Sequence, residues 1–248
     1  MRRNFDLLLG DFKRILARPE DPKRRERLEQ AVWNLPVFDE LLAGDPAKTQ
    51  ALVEIMTTVC GLTSAGRANP EKKMMQSLVF VSNSCRWTLL DAGVKPLTGF
   101  EATEGVPASA QPALAVLRIL CGYAMDCMSY TRPRDAACGW RWGKAFDILA
   151  NAGQLMDLPE VLTLAHRSLR KPNGEQVGGA FRFISNYFIS RDAEPDDQVV
   201  NELLVLSQAT GPRSTPCGAL NVLVETGVMD ELGAVCYMDD WKDKHLRR

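Results

Sequence analysis

Side chains that carry acid–base chemistry near neutral pH are scarce in this sequence. Histidine titrates closest to that range, and the chain of 248 residues has two, His166 and His245. Neither has a nucleophile or a carboxylate partner that is obvious in the sequence, so each is expected to be solvated or to lie at the edge of the core. The sequence therefore predicts a protein that is not an enzyme. An enzyme that acts through a pocket the sequence does not reveal is the weaker alternative.

Seven cysteines provide neither a metal site nor a disulfide framework. Their number is odd, no pair has the Cys-x-x-Cys spacing, and the intervals between Cys121, Cys127 and Cys138 match no common zinc arrangement. Most lie in apolar stretches, where a free cysteine packs as a small apolar residue. We therefore expect no metal, no cofactor and a reducing compartment, which favours the cytoplasm.

Two further groups of residues are better explained by helix ends than by ligands. No predicted strand precedes Gly178 and Gly179, so they indicate a helix start or a tight contact rather than a dinucleotide site. The acidic residues between Asp192 and Asp197 are spaced too irregularly for calcium and are predicted to cap the N-terminus of a helix.

One segment, residues 132–144, combines cations with tryptophan. Its candidate contact residues are Arg132, Arg134, Trp140, Arg141, Trp142 and Lys144. Tryptophan and arginine dominate many protein interfaces, and both can stack on nucleic-acid bases. The segment thus suggests an interaction patch, with nucleic-acid binding as an alternative function and a buried tryptophan at a helix rim as the structural explanation. The balanced charge of the chain, −1 from 30 basic and 31 acidic residues, disfavours nucleic acid as the main partner.

The elements that position these residues are predicted to be helices throughout. Apolar residues recur with the spacing of an amphipathic helix in almost every segment, for example at Leu52, Ile55 and Val59. Alternating strand patterns are nearly absent. Proline and glycine divide the chain into roughly eleven to thirteen helices.

Several helix boundaries can be placed from the sequence. Helix starts are expected at Pro46 and Pro70, where proline suits the first turn, and at Ser109, which can cap a helix. The segments 61–69 and 130–138 are expected to be irregular.

No uninterrupted apolar run approaches the ~18 residues that a membrane-spanning helix requires. Residues 1–18 are basic and amphipathic, which is compatible with a mitochondrial presequence. Asp6 and Asp11 disfavour that reading, and the simpler expectation is a first helix that covers one end of the core.

Three segments of the chain resemble one another. Each consists of an apolar helix end, a small residue, a glycine and a new apolar helix; the segments are 87–97, 146–158 and 220–232. Their glycines are Gly93, Gly153 and Gly227. A glycine can close a helix with a left-handed residue or let the backbone bend sharply, so the next helix leaves at a steep angle.

This pattern resembles the armadillo repeat, whose first two helices meet at such a bend. Three further stretches are similar to the third armadillo helix, which ends in Ser-Asn: 77–83, 180–186 and 201–208, the last with glutamine in place of asparagine. The glycines, however, lie 60 and 74 residues apart (93 to 153 and 153 to 227), whereas such a repeat is nearer ~40 residues. A HEAT-like or irregular solenoid, and a helical bundle with recurring glycine turns, therefore stay open.

The resemblance implies a right-handed α-solenoid, with capping helices in residues 1–46 and armadillo-like or HEAT-like repeats in residues 47–248. It implies a scaffold or adaptor that binds a peptide or a partner protein on its concave surface. Membership of a larger complex is a further expectation. The candidate peptide-binding residues are Asn83, Asn186, Gln208 and Arg182. The tryptophans that precede these asparagines in nuclear-import proteins are replaced here, which disfavours binding of nuclear-import signals.

Overall fold

A computed structural model describes residues 5–33, 46–65, 72–130, 138–170, 174–209 and 214–245. These residues form eleven α-helices and no β-strand, which confirms the predicted all-α class. The helices are α1 (Phe5–Leu16), α2 (Arg24–Trp33), α3 (Pro46–Ala65), α4 (Lys72–Asp91), α5 (Gln111–Tyr130), α6 (Cys138–Gly153), α7 (Pro159–Arg170), α8 (Gly174–Ile189), α9 (Asp197–Ser207), α10 (Ser214–Glu225) and α11 (Glu231–His245).

The helices lie in two rows that share one apolar core. In the first row, α2, α4, α6, α8 and α10 pack successively against one another. In the second row, α3 packs on α5, while α7 packs on α9 and α9 packs on α11. Each of α5, α7 and α9 also packs on the first-row helix that follows it in the chain. The buried apolar side chains of both rows form one continuous cluster.

Four helices of the first row, α4, α6, α8 and α10, run in the same direction. Asn151 on α6 donates a hydrogen bond to Ser82 on α4, 69 residues earlier, and Gln154 accepts one from Arg86, 68 residues earlier. Between α6 and α8, and between α8 and α10, residues early in one helix likewise contact residues early in the next. The hydrogen bonds at these two boundaries join residues 36 and 40 positions apart. The connection from α4 to α6 is therefore longer than the other two.

Three helices of the first row are followed by a residue with a left-handed backbone. Gly93 (φ 74°) follows α4 and Gly227 (φ 77°) follows α10, as the bend glycines predict. Asp192 (φ 50°) closes α8 in the same way. The N–H of the residue after Asp192 donates to the carbonyl of Phe188, just as the N–H after Gly93 donates to that of Leu89.

Asp192 is the bend that a search for glycine misses. It lies 39 residues after Gly153 and 35 before Gly227 (153 to 192 and 192 to 227), so the interval of 74 residues divides into two of nearly equal length. Gly153 itself does not have a left-handed backbone. Of the two roles predicted for the bend glycines, closing a helix with a left-handed residue is therefore wrong for Gly153. A Cβ atom at Gly153 would lie 2.9 Å from a ring carbon of Phe183, and glycine there makes room for the ring.

The local predictions have mixed outcomes. α3 begins at Pro46 as expected, and Asp196 caps α9 by accepting a hydrogen bond of 2.9 Å from the N–H of Val199. The irregular segment predicted at 61–69 is wrong for its first half, because α3 continues to Ala65. The rest of that segment, like most of 130–138, lies outside the described residues, as does the start predicted at Pro70.

The three-helix register of the resemblance also needs correction at α4. Residues 77–83 and 87–91 were assigned to two different armadillo helices, but both lie on the continuous helix α4. No proline or glycine separates them, so nothing in the local sequence interrupts the helix.

One helix, α5, is long and apolar enough to cross a membrane by length and composition. The segment Gln111–Ser129 passes that test, and half of it is buried inside the protein. The sequence analysis found no uninterrupted apolar run of this length, because Arg118 and Asp126 interrupt this one. Packing of α5 against α3, α4 and α6 is what a core helix of this composition shows.

A close contact between α6 and α8 fixes the middle of the first row. A Cβ atom at Gly179 would lie 2.7 Å from the Cβ of Phe146 and 2.8 Å from the carbonyl oxygen of Gly143. The tight contact predicted for Gly179 is therefore confirmed. Beside it, the rings of Phe146 and Phe183 lie 6.5 Å apart, and those of Phe183 and Tyr187 lie 5.6 Å apart.

Candidate functional site

The candidate site is the side of the first row that is not buried against the second row, called here the outward face. It is built from residues three, four or seven positions apart, which share one side of a helix. They are Phe80, Asn83, Trp87 and Leu90 on α4; Lys144, Asp147 and Asn151 on α6, with Gln154 just after it; and Arg182, Asn186 and Ile189 on α8.

α4 contributes an exposed apolar stripe to the outward face. Phe80, Trp87 and Leu90 are 63%, 50% and 37% exposed, and Asn83 lies half-buried among them. Large apolar side chains that cluster in solvent mark surfaces for binding more often than isolated ones do. The sequence analysis missed this stripe because it compared residues 77–83 and 87–97 only with armadillo helices. The available signal was a helix that is apolar on more than one side.

Arg86 holds Trp87 in position. Its guanidinium carbon lies 4.6 Å from the centre of the Trp87 ring, and its Nη1 donates a hydrogen bond of 3.2 Å to Gln154, which directly follows α6. The ring is thus supported from one side by a cation that is itself tied to the next helix. A fixed aromatic side chain loses little conformational entropy when it binds.

α6 forms a polar strip between the exposed helices α4 and α8. Asp147 is only 4% exposed, and its carboxylate lies 3.2 Å from Lys144 Nζ and 2.5 Å from Arg182 Nη2. Burial raises the pKa of Asp147, and the two cations offset that effect only in part. Arg182, a predicted contact residue, therefore covers a buried carboxylate while more than half of its side chain remains exposed.

Replacing Asp147 by asparagine is expected to leave the free energy of unfolding near pH 7 unchanged, or to raise it by up to ~1 kcal/mol, because a desolvated charge is removed. The raised pKa means that the folded wild type binds the proton more tightly than the unfolded chain. The wild type therefore gains stability as the pH falls through the folded pKa towards the unfolded value of about 3.9, and the difference from the variant shrinks.

Denaturant melts over a pH series measure this difference. Asp91→Asn, at an exposed position on the same row, is the matched control and is expected to change stability by less than ~0.5 kcal/mol. A loss of more than ~1 kcal/mol in Asp147→Asn near pH 7 would show that the ion pairs outweigh desolvation.

The structure separates the predicted peptide-binding residues. Asn83 and Asn186 both belong to the first row, where Asn186 donates a hydrogen bond of 3.2 Å to the carbonyl of Ala150. Gln208 follows α9 in the second row, and its backbone N–H donates to the carbonyl of Val205. Asn83, Asn186 and Arg182 therefore all belong to the first row, while Gln208 belongs to the other row of helices.

Buried polar bonds join the helices beneath the outward face. Asn151 is 8% exposed and donates a hydrogen bond of 2.8 Å to Ser82, which is fully buried. Ser185 on α8 donates a hydrogen bond to the carboxylate of Glu225, the last residue of α10. Polar groups in such positions need partners, so these bonds fix the lateral register of the helices. The pairing of Ser82 with Asn151 could not be read from the sequence, because the two residues are 69 positions apart.

The second predicted patch is only partly surface. Arg132 and Arg134 lie outside the described residues. Trp140, Trp142 and Lys144 are half-buried, and Arg141 is 7% exposed. Trp142 packs its ring against that of Phe146, with centroids 6.2 Å apart. Lys144 pairs with Asp147 as described above. These tryptophans therefore contribute mainly to packing at the start of α6.

A shallow cleft of about 370 Å³ extends the surface towards α10. It lies at the ends of α8 and α10 and is lined by Phe188, Ile189, Asp192, Ala193, Glu194, Glu225, Thr226 and Gly227. Ile189 is 49% exposed at its rim, so the outward face continues from α8 into this cleft.

The described residues contain no group of three or more histidine, cysteine or acidic side chains that could hold a metal ion. Cys60, Cys85 and Cys121 are buried, and burial raises the pKa of each thiol far above its ordinary value. The pKa of Cys127 is raised to about 11 for the same reason. These thiols stay protonated near neutral pH and are poor nucleophiles.

Comparison of the chain with protein-family models, with characterised proteins and with solved structures gives no match. Function is therefore argued from the surface itself.

Proposed function

We propose that this protein is a non-enzymatic scaffold or adaptor that binds a peptide or partner protein on the outward face. The observation that carries the proposal is the exposed stripe of Phe80, Trp87 and Leu90 on α4. An exposed aromatic residue that another side chain already holds in place, as Arg86 holds Trp87, is typical of an interface anchor.

The finer fold proposed is a right-handed α-solenoid of armadillo-like or HEAT-like repeats that follows capping helices in residues 1–46. Its support is the parallel course of α4, α6, α8 and α10, with a second-row helix between each pair. Hydrogen bonds between residues 36 and 40 positions apart agree with a repeat of ~40 residues. Stacked repeats of this kind create long surfaces suited to protein ligands.

The chemistry of the outward face suits an extended segment with apolar side chains. The stripe on α4 can bury such side chains, and each well-buried one contributes about 1.5–3 kcal/mol. The amide of Asn83 and the guanidinium of Arg182 can bond to main-chain carbonyls, whose presence does not depend on the partner's sequence. The buried, protonated thiols fit a reducing compartment such as the cytoplasm.

Affinity capture with quantitative mass spectrometry tests the proposal. The full chain, its Trp87→Ala variant and its Phe80→Ala variant are each immobilised. We expect each variant to bind a specific partner at least about tenfold more weakly than the wild type, which corresponds to ~1.4 kcal/mol of binding free energy. Val205→Ala is the matched control because Val205 is 71% exposed on α9, in the second row. The proposal fails if nothing is enriched above the empty support, or if the stripe variants and the control retain the same proteins equally.

A further inference from the structure

A cleft between the first two helices is lined by arginines. Its volume is about 390 Å³, and its lining residues are Asp11, Arg14, Ile15, Arg18, Arg27, Gln30 and Ala31. That volume lies within the range of ~300–1,000 Å³ found for small-molecule sites. The cleft lies at the end of α1 and along α2, away from the outward face.

The cleft concentrates positive charge in a chain whose net charge is −1. Among the residues that the structure describes, three guanidinium groups and one carboxylate line it. Arg14 pairs with Asp11, and Arg27 pairs with Asp21 at 2.7 Å, but both arginines are at least half exposed. Exposed pairs of this kind contribute only about 0–1 kcal/mol, so a stronger anion can displace them. The guanidinium of Arg18 makes no ion pair with any described residue and is exposed.

The pairs already present indicate which anion the cleft suits. A ligand must compete with the carboxylates of Asp11 and Asp21, so a single carboxylate has no advantage. A phosphate monoester carries a charge of about −1.5 to −2 and three acceptor oxygens at neutral pH. The three guanidinium groups of Arg14, Arg18 and Arg27 exceed their two carboxylate partners, Asp11 and Asp21, by one positive charge, so the cleft favours an anion. Arginine also presents a planar fork that bonds phosphate oxygens in pairs.

We propose that this cleft binds a small organic phosphate through Arg14, Arg18 and Arg27. Ile15 and Ala31 form the apolar part of the lining, and Gln30 offers both a donor and an acceptor to the organic portion. The cleft has the volume of about thirteen waters at ~30 Å³ each, which leaves room for a compact carbon skeleton beside the phosphate.

Isothermal titration calorimetry of the full chain with O-phospho-L-serine at about pH 7.5 and low ionic strength tests the proposal. Arg18→Ala is expected to weaken binding at least about tenfold. Lys13→Ala is the matched control, because it removes an exposed cation five residues before Arg18 without altering the cleft lining, and its effect is expected to stay below about twofold. Thermal melts of both variants establish that each is folded.

A pH series separates phosphate recognition from general attraction of anions. Near pH 5 the phosphate group of phosphoserine is mainly a monoanion, because its second pKa is about 6, so binding of phosphoserine is expected to weaken by up to about tenfold. Sulfate keeps its charge over this range, so binding of sulfate is expected to stay the same. Absence of phosphoserine binding at millimolar concentration overturns the proposal, as does equal loss in Arg18→Ala and Lys13→Ala. Binding only to vesicles that contain phosphatidylinositol 4-phosphate, without binding to phosphoserine, overturns it in favour of a membrane headgroup.

Discussion

Replacing Gly179 by alanine is expected to lower the free energy of unfolding by about 2–3 kcal/mol. The added methyl group would lie 2.8 Å from the carbonyl oxygen of Gly143 and 2.7 Å from the Cβ of Phe146. Neither atom belongs to the flexible end of a side chain. The contact can be relieved only if α6 and α8 move apart along the aromatic side chains packed between them.

Thermal and denaturant melts measure this loss, which corresponds to a fall in the midpoint of about 4–12 °C for a chain of this size. Gly178 provides the matched control on the same helix. A Cβ atom at Gly178 meets nothing within 4 Å, so Gly178→Ala is expected to raise stability by up to ~1 kcal/mol. Changes of the same sign in the two variants would contradict the close contact.

Replacing Arg191 by alanine is expected to cost about 2–4 kcal/mol. Arg191 follows α8 and donates hydrogen bonds of 2.7 Å and 2.6 Å to the carbonyls of Gly153, the last residue of α6, and Met156, which lies just after it. It also donates to the carbonyl of Tyr187 and lies over that ring at 3.9 Å. Its loss would leave several carbonyls without a charged donor.

Arg191→Lys is expected to restore less than half of the lost stability, since one ammonium group cannot reach both carbonyls as the arginine fork does. The matched control is Arg167→Ala, which removes an exposed arginine from α7 and is expected to cost less than ~0.5 kcal/mol. Full recovery with lysine would mean that the charge matters rather than the paired hydrogen bonds. Chemical denaturation of the three variants distinguishes these results.

Much of the fold could be predicted from local patterns. The helical class follows from the spacing of apolar residues, and the left-handed caps at Gly93 and Gly227 follow from their residue type. Asp192 has the same backbone conformation, but aspartate adopts it rarely enough that the sequence alone does not indicate it. Without Asp192 the interval from Gly153 to Gly227 is twice its real length, whereas the long interval from Gly93 to Gly153 reflects the longer connection from α4 to α6.

The candidate site was harder to predict because burial depends on distant neighbours. Asn186 was identified from its motif, yet its amide bonds to Ala150 on another helix. Phe80 and Trp87 look like core residues in the sequence, and only the arrangement of the rows shows that they are exposed. Trp142 and Arg141 look like surface residues and are instead half-buried and buried.

The bonds of Ser82 with Asn151, of Asn186 with Ala150 and of Ser185 with Glu225 lie at three successive helix boundaries. Sliding of one helix past the next would break a partly or fully buried polar bond, which is costly. The surface above these bonds is thus preorganised before any encounter. A partner segment that docks there must itself bear most of the entropy loss of ordering, so a segment that is already stiff when free has the advantage in affinity.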